Sequence, residues 1–236
     1  MMFADPSGSD LEQSRTRILE VAEKHFRRIG YHKTSVADIA SELGMSRANV
    51  YRFFPSWTAI NSSVCGLVVK EVAEIALAIA RTDAPASKKL VDLLTAIHRH
   101  STRILVEDRR MHELLVAAID GSWATINAHN EQILAILKAL VREGQRSGEF
   151  KVDDADEAAQ GIITAFLPFF HPILVEQRVQ EAEATAVSLD AQIRFIMKAL
   201  GKSDPRAAAH PSDCEDRNHR RRKYRRNSGR AGTGAI

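Results

Sequence analysis

Apolar residues recur every three to four positions along most of the chain up to residue 200, and this spacing predicts α-helices. Ser9 stands three residues before Glu12, the spacing of a capping box, which predicts that the first helix starts there. Gly30 predicts its end, because glycine readily takes the left-handed conformation that follows a helix. The apolar stripe between these limits consists of Ile18, Ala22, Phe26 and Ile29.

Two much shorter helices are predicted next. Ser35 and Asp38 have capping-box spacing, and Gly44 ends this second helix. Ser46 is positioned to cap a third helix, which ends before Pro55-Ser56. The apolar anchors of the pair are Val36, Ile39, Ala40, Leu43, Val50, Phe53 and Phe54. Two short helices joined by a glycine-containing turn are typical of a helix-turn-helix.

About six longer helices are predicted in the following part of the chain. They cover 57–81, a segment capped by Ser87, two helices within 109–147 that part near Gly121-Ser122, and two helices at about 155–178 and 183–200. Asp154 and Glu157 have capping-box spacing before the first of the last two helices. Pro168 and Pro172 predict a bend in it, because proline removes a backbone donor. The predicted fold class is all-α.

These elements predict a division of the chain into four parts. Residues 1–9 form a disordered lead, 10–56 a three-helix helix-turn-helix domain, 57–201 a larger helical domain, and 202–236 a disordered tail. The tail is predicted to be disordered because it is rich in Arg and Ser and poor in apolar residues.

The net charge of +3 hides an asymmetry between the tail and the rest. Residues 203–236 hold nine Lys/Arg and four Asp/Glu, which is a net charge of +5. The other residues therefore carry a net charge of −2. A nucleic-acid interaction must therefore depend on local placement of basic groups. Two interpretations of the tail stay open: a non-specific phosphate-binding segment and a solubilising extension.

Cysteine content and hydropathy favour a protein of the reducing cytoplasm. The only cysteines are Cys65 and Cys214, one in a predicted helix and one in the tail, so no disulfide framework is expected. The first ten residues lack the basic and apolar regions of a signal peptide. Residues 158–175 carry no charged side chain, but Gln160 and two prolines lower their apolarity. We interpret the stretch as a buried interface helix and expect no membrane contact.

The start of the third helix carries side chains suited to reading DNA. In a helix-turn-helix the N-terminal residues of the second helix face base edges, and here these are Ser46, Arg47, Ala48 and Asn49. Arg matches guanine, Asn matches adenine, and Ala allows close approach or contact with a thymine methyl. Phosphate contacts are predicted for Tyr51 and Arg52, and for Thr34 and Ser35 with the free backbone N–H groups of the second helix. The alternative is that the arginines are ordinary solvated surface.

Residues 15–60 resemble the DNA-binding head of TetR-family regulators. The matching run is Ile18-Leu19, Ala22, Phe26, Gly30-Tyr31, Thr34-Ser35-Val36, Ile39-Ala40, Leu43-Gly44-Met45-Ser46, Val50-Tyr51 and Phe53-Phe54. Gly148-Glu149-Phe150 followed by Asp153-Asp154 also looks family-like. The resemblance implies that the larger domain binds a small-molecule effector and forms a homodimer, and that the heads bind a palindromic operator in double-stranded DNA.

Three positions depart from the usual pattern of the family. Trp57 stands where a phosphate-contacting Lys is usual, Phe53 where many members have His or Tyr, and Ala37 where some have a basic residue. Lys33 and Arg52 are the candidate replacements for these polar contacts.

The effector contacts are predicted among aromatic and amphipathic residues of the larger domain, each of which has an alternative as plain core. These candidates are His112, Trp123, His129, Phe166, Phe169 and His171. His98 and His100 are two apart on a helix and so face different directions, and no metal site or cofactor is predicted. No nucleophile elbow, phosphate-binding loop or convincing carboxylate pair indicates an enzyme.

The sequence therefore favours a DNA-binding regulator, with repression and release by an effector as the leading hypothesis. One alternative is a constitutive DNA binder whose larger domain only dimerises. Another is a helical protein-interaction module that has lost DNA reading.

Overall fold

The computed structural model describes residues 8–121, 123–180 and 185–201, and within them the chain is helical without strands, as predicted. The helices are α1 (Gly8–Ile29), α2 (Val36–Glu42), α3 (Arg47–Phe53), α4 (Trp57–Ala80), α5 (Ala86–Glu107), α6 (Arg109–Asp120), α7 (Ala124–Arg146), α8 (Ala155–Phe166), α9 (Pro172–Gln180) and α10 (Thr185–Ala199). Helix α1 includes the last two residues of the predicted lead 1–9. The rest of that lead and the predicted tail 202–236 lie outside the described residues.

The predicted helix at 155–178 is wrong as a single element. Helix α8 ends at Phe166, a 3₁₀ turn (Leu167–Phe169) follows, and α9 begins at Pro172. Pro168 and Pro172 explain the break, since neither can donate the i→i−4 bond that would continue a helix. The larger domain thus has seven described helices where about six were predicted.

Helix α5 starts differently from the prediction. Pro85 is its N-cap residue, and Ser87 lies inside the first turn. The Glu149 carboxylate, from the turn after α7, accepts the backbone N–H of Ala86 (3.0 Å) and the hydroxyl of Ser87 (2.5 Å). A carboxylate distant in sequence therefore satisfies the free donors that a local serine was predicted to satisfy.

Buried apolar residues form two clusters that do not follow the predicted boundary after residue 56. The first cluster joins α1–α3 to α4 and α6: Ile18, Ala22, Phe26, Val36, Ile39, Val50, Phe54, Ile60, Val64, Val68, Met111 and Leu114 are among its members. The second fills the space between α5, α7, α8 and α10. The head therefore shares its core with the larger domain, chiefly with α4 and α6, to which α5 and α7 add Ile104 and Ile126.

Among the described residues no single helix is long and apolar enough to cross a membrane. One bent pair, Ala155–Phe169 with Pro172–Val179, passes that test of length and composition, at an angle of 46°.

The predicted capping box at the start of α2 is confirmed. The Ser35 hydroxyl accepts the backbone N–H of Asp38 (3.3 Å), and the Asp38 carboxylate accepts the backbone N–H of Ser35 (2.8 Å). The Ser35 hydroxyl also donates to the Asp38 carboxylate (2.6 Å), and this bond, followed by that from the Ser35 backbone N–H, lowers the pKa of Asp38. The capping box therefore stabilises the N-terminus of α2, the first helix of the helix-turn-helix.

Replacing Ser35 by alanine should lower the free energy of unfolding by about 1 kcal/mol, the usual cost of losing an N-cap. Urea denaturation followed by circular dichroism measures this change. Ser41→Ala is the matched control, because Ser41 is exposed within the same helix and should change stability by less than about 0.5 kcal/mol. Equal effects of the two substitutions would contradict the assigned role of Ser35.

Candidate DNA-reading surface and internal cavity

Helices α2 and α3 are joined by a tight four-residue turn, residues 43–46. Gly44 adopts φ +65°, a left-handed conformation that glycine accepts without strain. The backbone N–H of Met45 returns to the carbonyl of Ala40 (2.8 Å), and the Ser46 hydroxyl caps α3 by accepting the N–H of Asn49 (3.1 Å). Val50 is fully buried and anchors the inner face of α3.

The other face of α3 presents the predicted DNA contacts together. Ser46, Arg47 and Ala48 are exposed at the start of the helix, and Asn49 is half-buried beside them. Tyr51, 45% exposed, and the exposed Arg52 follow one turn later. Arg47 and Asn49, whose side chains prefer different bases, therefore lie together at the N-terminal end of α3, a helix that can enter a major groove.

Thr34 does not lie on this surface. Its side chain is buried, and its hydroxyl donates to the carbonyl of Gly30 (2.9 Å), which holds the turn between α1 and α2. Ser35 is exposed, but its hydroxyl is engaged in the capping box. Sequence spacing cannot distinguish a hydroxyl that faces outward from one that folds back on its own turn.

Two polar contacts that sequence reasoning missed fix α2 and α3 against α1. Arg15 donates to the carbonyl of Phe53 (2.6 Å), and its guanidinium lies 4.4 Å from the ring centre of Phe54. Glu42 on α2 binds Lys24 and His25, both at 2.7 Å, and these hydrogen bonds lower the pKa of its carboxyl. Helix α1 therefore sets the orientation of the candidate reading helix.

The larger domain contains a partly open cavity of about 460 Å³. Residues of α4, α5, α6, α7 and α8 line it, together with the segment that leads into α9. Its lining is mainly apolar: Val68, Val72, Leu94, Ile97, Ile104, Leu115, Ile119, Ile133, Leu137, Ile162 and Phe166 are part of it. The volume lies within the range of small-molecule sites, about 300–1,000 Å³.

Four of the six predicted effector contacts line this cavity. They are His112, His129, Phe166 and His171. Phe169 instead stacks on the lining residue Phe166, with a distance of 5.1 Å between the ring centroids. Trp123 packs against the cluster that the head shares with α4 and α6. Neither Phe169 nor Trp123 belongs to the cavity lining.

The sequence did not single out the other polar lining residues. These are His100, Ser101, Asn127, Asn130, Glu131 and Gln160. The spacing of His98 and His100 predicted that the two side chains face different directions, and they do. His98 Nδ1 lies 2.9 Å from the carbonyl oxygen of Phe169, whereas His100 lines the cavity. Among the described residues, no group of three His, Cys, Asp or Glu side chains is placed to hold a metal ion.

Burial favours the neutral form of three of the cavity imidazoles. Desolvation lowers the pKa of His129 to about 4, and it also lowers the pKa values of His100 and His171. His112 is buried and lies 3.2 Å from Glu176 of α9. The hydrogen bond with His112, followed by Arg109 at 2.6 Å, lowers the pKa of that carboxyl.

The cavity helices connect directly to the head. Asp108 is the single residue between α5 and α6, and its carboxylate forms an ion pair with Arg27 of α1. Arg110, at the start of α6, donates to the backbone carbonyl of Arg27 (3.3 Å). A movement of the α5–α6 junction would therefore act on α1 through charged contacts as well as through the shared apolar cluster.

Comparison with known families agrees with this architecture. Residues 18–60 match the family model described as bacterial regulatory proteins of the tetR family, and residues 86–188 match the tetracyclin repressor-like C-terminal domain. The chain belongs to the TetR family. It is accordingly a DNA-binding transcriptional regulator, and the resemblance found in the sequence is confirmed.

Solved structures of transcriptional regulators share the fold. A regulator from Thermobifida fusca YX-ER1 is 21% identical over 78% of this chain and 96% of its own, with a TM-score of 0.58. One from Saccharomonospora viridis in complex with choline is 26% identical over 78% and 94% (TM-score 0.55). FadR of Bacillus subtilis in complex with stearoyl-CoA is 20% identical over 77% and 96% (TM-score 0.54). No curated protein sequence matches the chain significantly.

The three departures from the TetR pattern have different structural settings. Trp57, at the start of α4, is half-buried and meets Phe26 edge-on at 5.5 Å, so it contributes to the shared core. Phe53 is half-buried, and its backbone carbonyl accepts a hydrogen bond from the guanidinium of Arg15. Ala37 is exposed near the N-terminus of α2, and nothing in the structure explains this substitution.

Proposed function

We propose that this TetR-family protein is a homodimeric repressor that a small molecule releases from a palindromic operator. The observation that carries the proposal is the cavity of about 460 Å³ inside the larger domain, next to the junction that pairs with the head. The choline-bound regulator of Saccharomonospora viridis, 26% identical, supports a small-molecule ligand for a protein of this fold.

The route from cavity to head is short. His112 lines the cavity from α6, and Asp108 precedes that helix and binds Arg27 of α1. A ligand that displaces α6 would shift α1 and change the separation of two heads in a dimer. Half-sites are read one helical turn apart, about 34–36 Å, so a changed separation lowers affinity for the operator. The coupling is reciprocal, and operator DNA must weaken the ligand by the same factor.

The proposed DNA contacts are those exposed on and before α3. Base edges would be read by Arg47, Ala48 and Asn49, and phosphates would be contacted by Tyr51 and Arg52. Ser35 and Ser46 would contribute through the helix N-termini that they cap. We do not retain a side-chain contact for Thr34, because its hydroxyl is bound to Gly30 inside the head.

Apolar exposure supports the homodimer. Phe195 on α10 is 63% exposed, and Leu167 next to α8 is 37% exposed. Large apolar side chains left in solvent on neighbouring elements are typical of surfaces that another protein covers.

The test is a fluorescence-anisotropy titration of the full chain against its own upstream DNA at two salt concentrations, with unrelated DNA as competitor. We expect tight binding that resists the competitor and weakens with salt, because phosphate contacts release counterions. If the upstream DNA is bound no more tightly than the competitor, the hypothesis that it contains the operator is rejected. A selection from random DNA sequences would then either identify the operator or show that the protein does not bind DNA sequence-specifically.

The cavity also distinguishes this proposal from a constitutive DNA binder. A domain that only dimerises has no need of an apolar cavity between its helices, since close packing stabilises a core. If DNA binding is specific but no small molecule changes it, the constitutive alternative stands.

A further inference from the structure

The inner surface of the cavity offers a ligand no opposite charge. Among the described lining residues there is no Lys or Arg, and the one carboxylate, on Glu131, is exposed. The other ionisable side chains of that lining are the imidazoles of His100, His112, His129 and His171. An ionised ligand group that enters such a space loses its hydration and gains no partner of opposite charge, which is unfavourable.

Polar atoms of the inner lining already have partners within the protein. The Ser101 hydroxyl donates to a carbonyl of its own helix (3.0 Å). His100 Nδ1 lies 3.4 Å from Arg103 Nη2, and His112 Nε2 lies 3.2 Å from Glu176 Oε2. Arg103 and Glu176 both reach solvent, so these two rings are tied to the outside of the domain. They are not positioned to recognise a head group deep in the cavity.

Two further imidazole nitrogens do not reach the cavity. His129 Nδ1 and His171 Nδ1 have no hydrogen-bond partner among the described residues, but they also have practically no accessible surface. A ligand atom in the cavity therefore cannot contact them. Desolvation also lowers the pKa values of His100, His129 and His171, which disfavours the positive ring that a bound anion would need.

The aromatic rings of the lining do not form a cation site. A quaternary ammonium is held by aromatic faces that surround it. The phenylalanines of the described lining are Phe166 and Phe170, whose rings stack on each other with 6.2 Å between centroids and 24° between planes. Rings paired in this way do not surround a common space, so the interior does not match a cation either.

The polar part of the lining lies at the exposed end of one stripe on α7. Asn127, Asn130 and Glu131 are exposed and share a helix face at positions i, i+3 and i+4. The same face continues with Leu134, which is partly buried, and Leu137, which is buried. The stripe changes from polar to apolar toward the interior. Asn127, Asn130 and Glu131 therefore form the rim of the cavity, where it meets solvent.

Resting on the proposed effector function, we propose that the effector is an uncharged amphiphile: an aliphatic body that fills the cavity and a neutral polar group that hydrogen-bonds to the amides of Asn127 and Asn130 at the rim. Gln160 of α8, also exposed, is a further amide of the lining. Glu131 repels an anionic head group and, because it is exposed, adds little for a cationic one.

Affinity in such a site follows the length of the apolar body. Burial of each methylene group is favourable by an amount that corresponds to about a fourfold gain in affinity. An ionic head group weakens binding, because holding it at the rim removes part of its hydration.

Isothermal titration calorimetry of the full chain with 1-octanol, 1-nonanol and 1-decanol tests the proposal, with decanoate and decyltrimethylammonium as matched anionic and cationic probes. The titrations are run at about pH 8, where decanoate is ionised. We expect each added methylene to strengthen binding of the alcohol by about fourfold. Both ionic probes should bind at least about tenfold more weakly than 1-decanol, since neither finds an opposite charge inside.

A pair of tryptophan variants on α7 shows whether the probes occupy the cavity. Leu134→Trp places an indole in the lining and should weaken 1-decanol by at least about tenfold, because the space for the apolar body is lost. Ala135→Trp adds the same ring at the next residue, which is exposed and outside the lining, and should bind like the wild type. Ile163→Trp, in the lining part of α8, repeats the test if Leu134→Trp does not fold by circular dichroism.

Three outcomes would overturn the proposal: absence of 1-decanol binding, an ionic probe that binds as tightly as 1-decanol, and unchanged 1-decanol affinity in a folded variant with tryptophan in the lining. The DNA titration separates this proposal from the proposed function. If a charged molecule occupies the cavity and releases DNA, the uncharged class is wrong while release by an effector stands. If no small molecule changes specific DNA binding, the proposed release itself fails.

Discussion

Replacing Arg47 by alanine should weaken operator binding by about 1–3 kcal/mol, or roughly 5- to 150-fold, and should relax specificity at one base pair. Arg47 is exposed in the first turn of α3, and a guanidinium in that position can bind guanine through two hydrogen bonds. Alanine is a good helix former, so α3 itself should persist. Anisotropy titrations against the operator and against single-base variants measure both effects.

Two further arginines serve as controls. Arg52→Ala removes a proposed phosphate contact and should weaken binding equally across sequences, with a salt dependence reduced by about one unit. Arg146→Ala removes the same charge from the last turn of α7, away from the head, and should leave DNA affinity nearly unchanged. If Arg47→Ala resembles Arg146→Ala, α3 does not read bases in the proposed way.

Replacing Phe26 by alanine should lower the free energy of unfolding by about 3–5 kcal/mol, the range for a fully buried phenylalanine. Phe26 has no exposed surface and meets Trp57 at 5.5 Å and Tyr31 at 6.3 Å between ring centres. The cavity would lie where α1 packs on α4, so head and larger domain should be destabilised together. Urea denaturation should show a single transition by helical signal and by tryptophan fluorescence.

Leu11→Ala is the matched control on the same helix, because Leu11 is 40% exposed and should cost less than about 0.5 kcal/mol. Separate transitions for the two probes would contradict the shared core and would favour the predicted boundary after residue 56 as a folding boundary.

Local signals explain why so much of the head was predictable. Ser35 with Asp38, Ser46 and Gly44 act on backbone groups within four residues of themselves, and the structure confirms each of these caps and turns. The stripe of Ile18, Ala22 and Phe26 is buried as its helical spacing requires.

Predictions that depended on distant partners were less successful. The sequence predicts that Ser87 caps α5. In the structure the Ser87 hydroxyl instead donates a hydrogen bond to the carboxylate of Glu149, 62 residues later. Phe169 and Trp123 were grouped with His112 and His129 as effector contacts, and only the two histidines line the cavity. Aromatic character indicates burial, but it does not indicate which cavity or core a ring will face.

The sequence by itself determined that the chain is helical, where the helix-turn-helix lies and to which family the protein belongs, because periodicity, caps and a matching run of residues are local properties. Only the tertiary structure decided that Thr34 faces inward, that the head shares its core with α4 and α6, that Asp108 meets Arg27, and that His100 and His129 share one cavity. These contacts join residues that lie on different turns or helices, and their geometry follows from how whole helices pack, which no local pattern encodes.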